Sequence, residues 1–413
     1  MSTARGKIIK LLVSSALVGA IIWQFTYARQ LTLVENEAYL FTPKEFNRLD
    51  KFPRAQYAYG LKAWLENRLE AADAHFKRAV SNDMLFINAW LKLSQTEFSL
   101  GNREKAVQIL NFTHRLTRDT IRWKWEHVLL ARELGQEDIF LKSINDAISC
   151  KALERDGLQL LDMHFDQDVA RILPVTAEEN RPAYLLWLMR WNRVEDAWMV
   201  WNSLPEATKG ENRLYEQYVD FLLRNGAPAR AAMIWQKFTG INGITNPGFE
   251  QELLNKGFGW RYRTSENQPW DLERTRTNPA EGRYSLSLSF NGSENIRFNN
   301  VWQVVPVAPG TEYLLSYRRK SRNLTTDERP FIDIFCFDGT GDFHRSGSML
   351  PEDSDWQEER ISFTSPAQCQ AVVVQITRNP SHRFGCKISG KAWFDDFRID
   401  RLSDWQVQDR NQE

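Results

Sequence analysis

The chain has 413 residues, enough for two or three domains each with its own core. Lys plus Arg and Asp plus Glu both number 53, so the net charge is zero and the basic footprint of a nucleic-acid binder is absent. The six histidines lack metal-ligand spacing, and no phosphate loop or nucleophile motif occurs, which excludes the motif-marked enzyme classes.

In chain order, Arg5, Lys7 and Lys10 precede an apolar run from Leu11 to Phe25. Fifteen residues fall short of the about 20 that span a bilayer. Counted from Ile8 to Tyr27, with Lys10 snorkelling, the stretch reaches that length. Residues 1–28 are therefore expected to be an uncleaved signal-anchor, a transmembrane helix ending in the interfacial Trp23-Gln24-Phe25-Thr26-Tyr27. A secretory signal cleaved after Ala28 and a buried core helix are the alternatives. The positive flank keeps the N-terminus in the cytoplasm. In a bacterium that places the protein in the inner membrane with its bulk in the periplasm. Residues 29–50, polar and containing Pro43, read as a tether.

From residue 51 to 240 the pattern is helical with a period of 34. Gly60, Ala63, Ala72, Phe76 and Ala79 open it, and Trp90, Leu93, Gly101, Ala106 and Leu110 follow in register. Asn67, Gly101 and Gly135 recur at the same interval and mark turns wanting a positive φ. Residues 156–180 form a variant pair that Pro174 ends. The phase then returns with Asn192 and Gly226, Ala197 and Ala231, and Trp201 and Trp235. This spacing resembles the tetratricopeptide repeat family, an α-solenoid whose groove docks a protein partner. Its tryptophans are expected to pack between helices.

From residue 241 to 403 the texture changes to short strands with Gly/Pro punctuation, an antiparallel β-sandwich. Strands are expected near 284–290, 301–307, 312–321, 331–337, 356–364, 371–377 and 391–402, followed by a polar tail, 404–413. In the last strand, Trp393, Asp395, Phe397 and Ile399 are expected on one face and Phe394, Asp396, Arg398 and Asp400 on the other. Of four cysteines, Cys336, Cys369 and Cys386 lie here and Cys150 in the helical half. One bridge is expected among the first three, with the pairing open. The paired carboxylates Asp353/Asp355, Glu358/Glu359 and Asp395/Asp396 sit in turns and strands without a cleft, so no enzyme is expected.

Five segments in order carry a second resemblance: NPGFE from Asn246, GRYSLSLSF, VWQVVPVAPGTEYLLSYRRKSR, DWQEERISFTSP and AWFDDFRI. Over residues 246–402 the chain is similar to carbohydrate-binding jelly rolls of the family 4 and 9 type. Exported proteins with repeats followed by such a domain are associated with bacterial exopolysaccharide production. The resemblance implies a structural calcium held by Glu250 with Asp395 or Asp396. Glycan contacts are expected from Trp260, Tyr262, Trp270, Phe343 and Arg345, with the first three in a loop-like segment whose exposure would favour sugar and whose burial would favour a scaffold. Trp302 and Phe335 are further candidates, but with Trp393 they alternate into the expected sandwich core, which is the favoured reading for all three. The expected whole is a non-enzymatic, membrane-anchored periplasmic scaffold, the repeats docking protein and the jelly roll contacting glycan. The alternative is a pure protein–protein assembly factor whose β domain binds no sugar.

Overall fold

The computed structural model describes residues 15–26, 28, 51–118, 120–339 and 342–403. The basic N-terminal flank, the tether at 29–50 and the tail at 404–413 lie outside the described residues. Residues 15–26 are helical and expose Leu17, Ile21, Trp23 and Phe25. Among the described residues no helix is long and apolar enough to cross a membrane. The chain divides into two compact units, Met1–Tyr184 and Leu185–Glu413.

The first unit is built of antiparallel helix pairs: α1 (Pro53–Leu65) with α2 (Leu69–Asn82), α3 (Ile87–Ser99) with α4 (Arg103–Leu116), α5 (Lys124–Glu133) with α6 (Glu137–Ile148), and α7 (Glu154–His164) with the short α8 (Val169–Val175). The turns fall where the 34-residue spacing puts them. Asn67, Gly101 and Gly135 are left-handed, with φ of 57°, 86° and 65°. After each, an amide reaches back five residues: Arg68 to Ala63, Asn102 to Glu97 and Gln136 to Ala131, at 2.8–2.9 Å. That bond closes the helix and satisfies a terminal carbonyl. Gly60 explains the close approach of α1 and α2, since an added Cβ would lie 2.5 Å from the Phe76 ring. Glu97 is buried in this unit at 1% exposure. The ammonium groups of Lys77 and Lys105 lie 2.9 and 3.0 Å from its carboxylate, and Asn102 donates to it at 2.8 Å.

In the second unit α9 (Arg181–Arg190, which begins just before the division) and α10 (Val194–Ser203) turn at Asn192, and α12 (Leu214–Arg224) and α13 (Pro228–Thr239) turn at Gly226. A single helical turn, α11 (Glu206–Gly210), joins these pairs. Among the described residues ten strands follow: β1 (Arg261–Tyr262), β2 (Trp270–Thr275), β3 (Ser285–Asn291), β4 (Phe298–Pro306), β5 (Glu312–Arg322), β6 (Phe331–Cys336), β7 (His344–Ser346), β8 (Ser354–Thr364), β9 (Ala371–Arg378) and β10 (Ser389–Arg401). They form two antiparallel five-stranded sheets, β1-β4-β9-β6-β7 and β2-β3-β10-β5-β8. Between the sheets pack Val301, Val305, Ile332, Ile334, Val372 and Val374 from one side and Leu286, Leu288, Leu315, Tyr317, Phe363 and Phe394 from the other. Cys336 and Cys369 are bridged within this core, while Cys386 and Cys150 are free.

The last strand departs from simple alternation. A bulge between Asp395 and Arg398, with Asp396 at φ 47°, shifts the parity of β10. Phe394 and Phe397 consequently both face the core, and Trp393 turns outward, not inward as the alternation suggested.

A tight joint ties α12 and α13 to the sandwich. Gly257 is left-handed, and an added Cβ there would lie 2.2 Å from the Trp235 ring. The Trp235 indole donates to Thr245 Oγ1 at 3.3 Å. The Gln303 carboxamide accepts from Thr245 N at 2.9 Å and donates to its carbonyl at 2.8 Å. Asp220 on α12 accepts from Gly257 N at 2.8 Å and pairs with Arg261. The compact unit therefore includes the last helices, although composition changes only after residue 240.

Candidate functional site

The outward face of the first sheet carries an unusual mixture of side chains. Register aligns Arg261, Trp302, Gln375, Asp333 and Ser346 in one row across β1, β4, β9, β6 and β7. The adjoining row is Val304, Val373, Phe335 and His344. These positions alternate with the core residues, so they point away from the second sheet. The face thus combines a half-buried indole and phenyl ring with an apolar floor and hydrogen-bonding groups. Asp333 accepts from Ser346 Oγ at 2.6 Å and lies 2.9 Å from His344 Nε2. Gln375 donates to the Asn299 carbonyl at 3.0 Å.

One side of this face is walled by α12. A cleft of about 490 Å³ is lined by Asp220 and Arg224 from the helix and by Arg261, Arg263, Trp302 and Val304 from the sandwich. The Arg263 guanidinium stacks 4.6 Å from the Trp302 ring centre. A larger cleft of about 680 Å³ lies beside α13, lined by Ala229, Met233, Pro306, Pro309 and Ile399 among others. Its lining includes the adjacent Asp400 and Arg401, and its ring, Tyr313, is buried and stacked on Phe363, so it offers no free aromatic face. In the first unit a groove between α3 and α5 is lined by Leu91, Lys92, Gln95, Glu126, Leu129 and Glu133.

The residues expected to bind glycan are not brought together. Trp260 is 1% exposed, packed on Phe249 and Phe397 at ring distances of 5.3 and 4.8 Å. Trp270 is 8% exposed and packs edge-on against Phe298. Neither indole offers a face to solvent, because β1 and β2 turn that segment into the sandwich's own cover. Tyr262 is half-buried against the core, and Phe343 packs on Phe363 at the opposite edge of the sheet. Arg345 is exposed beside Phe343. Conversely, Trp302 and Phe335, assigned to the core from sequence, lie on the outward face. In β4 apolar side chains lie on both faces and the polar Gln303 on the buried one, so alternation misled there; in β6 the outward Asp333, two residues before Phe335, was the signal for that ring's face.

Asp395 and Glu250 do approach one another. Asp395 is fully buried in the β10 bulge; its Oδ2 accepts from Ala280 N and Glu281 N at 2.8 and 3.2 Å, and its Oδ1 from Asp396 N at 2.8 Å. Glu250 Oε1 accepts from Arg283 N and Tyr284 N at 2.6 and 3.1 Å. Both carboxylate side chains flank Gly248, whose Cβ position would lie 3.5 Å from Asp395 Oδ1 and 4.0 Å from Glu250 Cγ. Burial pushes the Asp395 carboxyl up to about 6 despite its three amide donors. Asp396 departs from the pair and bonds Arg398 at 3.0 Å. Among the described residues no group of three or more His, Cys, Asp or Glu gathers as a metal site. The other adjacent carboxylates are engaged in ion pairs: Glu359 with Arg319, Glu358 with Arg360, and Asp355 with Arg322.

No known protein-family profile matches the chain. It is 29% identical over 120 residues to the tRNA(Glu)-specific nuclease WapA of Bacillus subtilis subsp. natto (strain BEST195), and 28% identical to the tRNA nuclease WapA of Bacillus subtilis (strain 168). Each match covers 28% of this chain and only 5% of the relative. Among solved structures, a CBM4 module matches at 14% identity over 38% of this chain and 99% of its own, with a TM-score of 0.27. The xylan-binding domain from CBM 22 matches at 14% identity over 38% and 92%, with a TM-score of 0.28. Naa15/Naa10 bound to HypK-THB matches at 14% identity over 52% and 36%, also with a TM-score of 0.28. At these values the likenesses assign neither a family nor a ligand.

Proposed function

We propose that the sandwich is a carbohydrate-binding module whose site is the outward face of the first sheet. One observation carries the reading: Trp302 and Phe335 share that face with Gln375, Asp333 and His344. Sugars stack an apolar face on an aromatic ring while their hydroxyls take hydrogen bonds from planar polar groups. This replaces Trp260 and Trp270, which support the core instead. Trp302→Ala and Phe335→Ala in the full chain should each lower polysaccharide affinity by roughly tenfold, as stacking contacts of this size do. Retained binding in both variants overturns the site.

The helical pairs fit a tetratricopeptide-type array that docks a protein, with the groove between α3 and α5 as its contact surface. The apolar N-terminal stretch and the Cys336–Cys369 bridge favour a membrane-anchored protein facing an oxidising compartment, the periplasm of a bacterium. In this reading the protein is a non-enzymatic scaffold of polysaccharide synthesis or export.

Asp395 and Glu250 suit calcium in their donor chemistry, because both present hard oxygens and Asp395 has no cation beside it. Asp396 would take no part, being held by Arg398. Bound there, the ion would neutralise Asp395 and clamp the Asn246–Glu250 turn to the bulge; backbone carbonyls would complete the set.

The burial of Trp260 and Trp270 favours a second reading, an assembly factor whose β domain is structural. Absence of any glycan binding by a folded, full-length chain would decide for it.

A further inference from the structure

We infer that the cleft between α12 and the first sheet binds an acidic sugar, with Arg224 and Arg263 holding its carboxylate; this rests on the glycan reading of the sheet.

The charges in the cleft do not cancel. Asp220 is already committed to Arg261 and to Gly257 N. Neither Arg224 nor Arg263 has a carboxylate partner among the described residues, and both are exposed. The Arg224 Nε donates to the Asp220 carbonyl at 3.3 Å, leaving the rest of its fork free. Arg263 stacks on Trp302, so a cation and an aromatic ring belong to one surface. A planar guanidinium fork matches a carboxylate with two parallel hydrogen bonds.

The face is also polar in direction. Its acidic group, Asp333, lies two strands from Trp302 in the same row, roughly 10 Å at normal strand spacing. An acid held at the α12 end therefore keeps clear of Asp333, whose oxygens are engaged by Ser346 and His344. The reverse orientation would set two carboxylates together. The helix thus supplies what an isolated sheet face lacks, a cationic wall that orients the chain.

The test is affinity of the full chain for oligogalacturonate, for the same oligomer with its carboxyls reduced to alcohols, and for a sulfated oligosaccharide. The acidic oligomer should bind about tenfold tighter than the reduced one, and the difference should shrink as salt rises. Arg224→Gln and Arg263→Gln, both changes at exposed positions, should each cut the preference for the acidic over the reduced oligomer several-fold. Equal affinity for both oligomers, or a preference that survives both substitutions, overturns the inference and leaves the glycan reading standing. Preference for the sulfated oligomer alone overturns the carboxylate assignment. Failure to bind any of the three removes the glycan reading and this inference with it.

Discussion

Each unit of the molecule removes a carboxylate from water, and the two solve the problem differently. Glu97 in the helical unit is met by two lysines and an asparagine. Burial raises its pKa, but those partners outweigh it and hold the group down at about 2. Asp395 in the sandwich meets three backbone amides and a neighbouring acid, and stays up at about 6. Neighbouring helices can send long lysine stems to a buried charge, as α2 and α4 do with Lys77 and Lys105 toward Glu97 on α3. A strand bulge cannot, so its acid is left to amides and, on our proposal, to an ion.

The sharpest break of that comparison is Asp395→Ala. Three amides lose their acceptor at once, and a folded-state loss of about 3–5 kcal/mol is expected in urea unfolding of the second unit. A loss below that of Glu97→Ala, whose half-exposed lysines can return to water, would erase the contrast.

Next in size is the acid response of Glu97. Its folded pKa lies below its unfolded one, so its contribution is complete above about pH 4.3 and is lost as pH falls towards about 2. The expected loss is about 2–3 kcal/mol in the first unit's unfolding transition. Asp73, which shares Lys77 and is raised by burial, works against that slope. Glu97→Gln should flatten it; an unchanged acid limb would show that the lysines do not stabilise the charge.

Calcium is expected to act only on the other side of the comparison. At 100 times its dissociation constant it should stabilise the second unit by about 2.7 kcal/mol, an effect that a chelator reverses and Asp395→Ala abolishes. A calcium effect that persists in Asp395→Ala would place the ion elsewhere.

The smallest effect concerns a turn. Gly101→Ala meets no neighbour within 4 Å but must hold φ near 86°, so about 1 kcal/mol should be lost from the first unit, read as a lower urea midpoint. A neutral result would mean the turn relaxes freely.

How much was legible in the sequence follows the same division. A helix turn makes a local demand, so Asn67, Gly101 and Gly135 announced the hairpins through spacing alone. Sandwich strands make a demand that depends on the partner sheet. In β4, Val301 and Val305 face inward while Trp302 and Val304 face outward, and all four are apolar. Trp260 and Trp270 read as loop residues because β1 is two residues long and β2 mixes charge with its inward positions. The bulge that buries Asp395 also defeated simple alternation. The cationic wall of the cleft was invisible for another reason: Arg224 and Trp302 are 78 positions apart (302 minus 224), and only the docking of α12 brings them to one cleft.

That docking leaves no slack between the last helical hairpin and the sheet. Gly257 sits where any larger residue would strike Trp235, and Gln303 grips both polar atoms of the Thr245 backbone. A swivel at the linker would have to break those bonds and part the packed ring from the turn. On our proposal of a polymer across the sheet, a tug on it would be delivered to α12 and α13 as a turning moment, because the connection behaves as a welded elbow and not as a swinging strap.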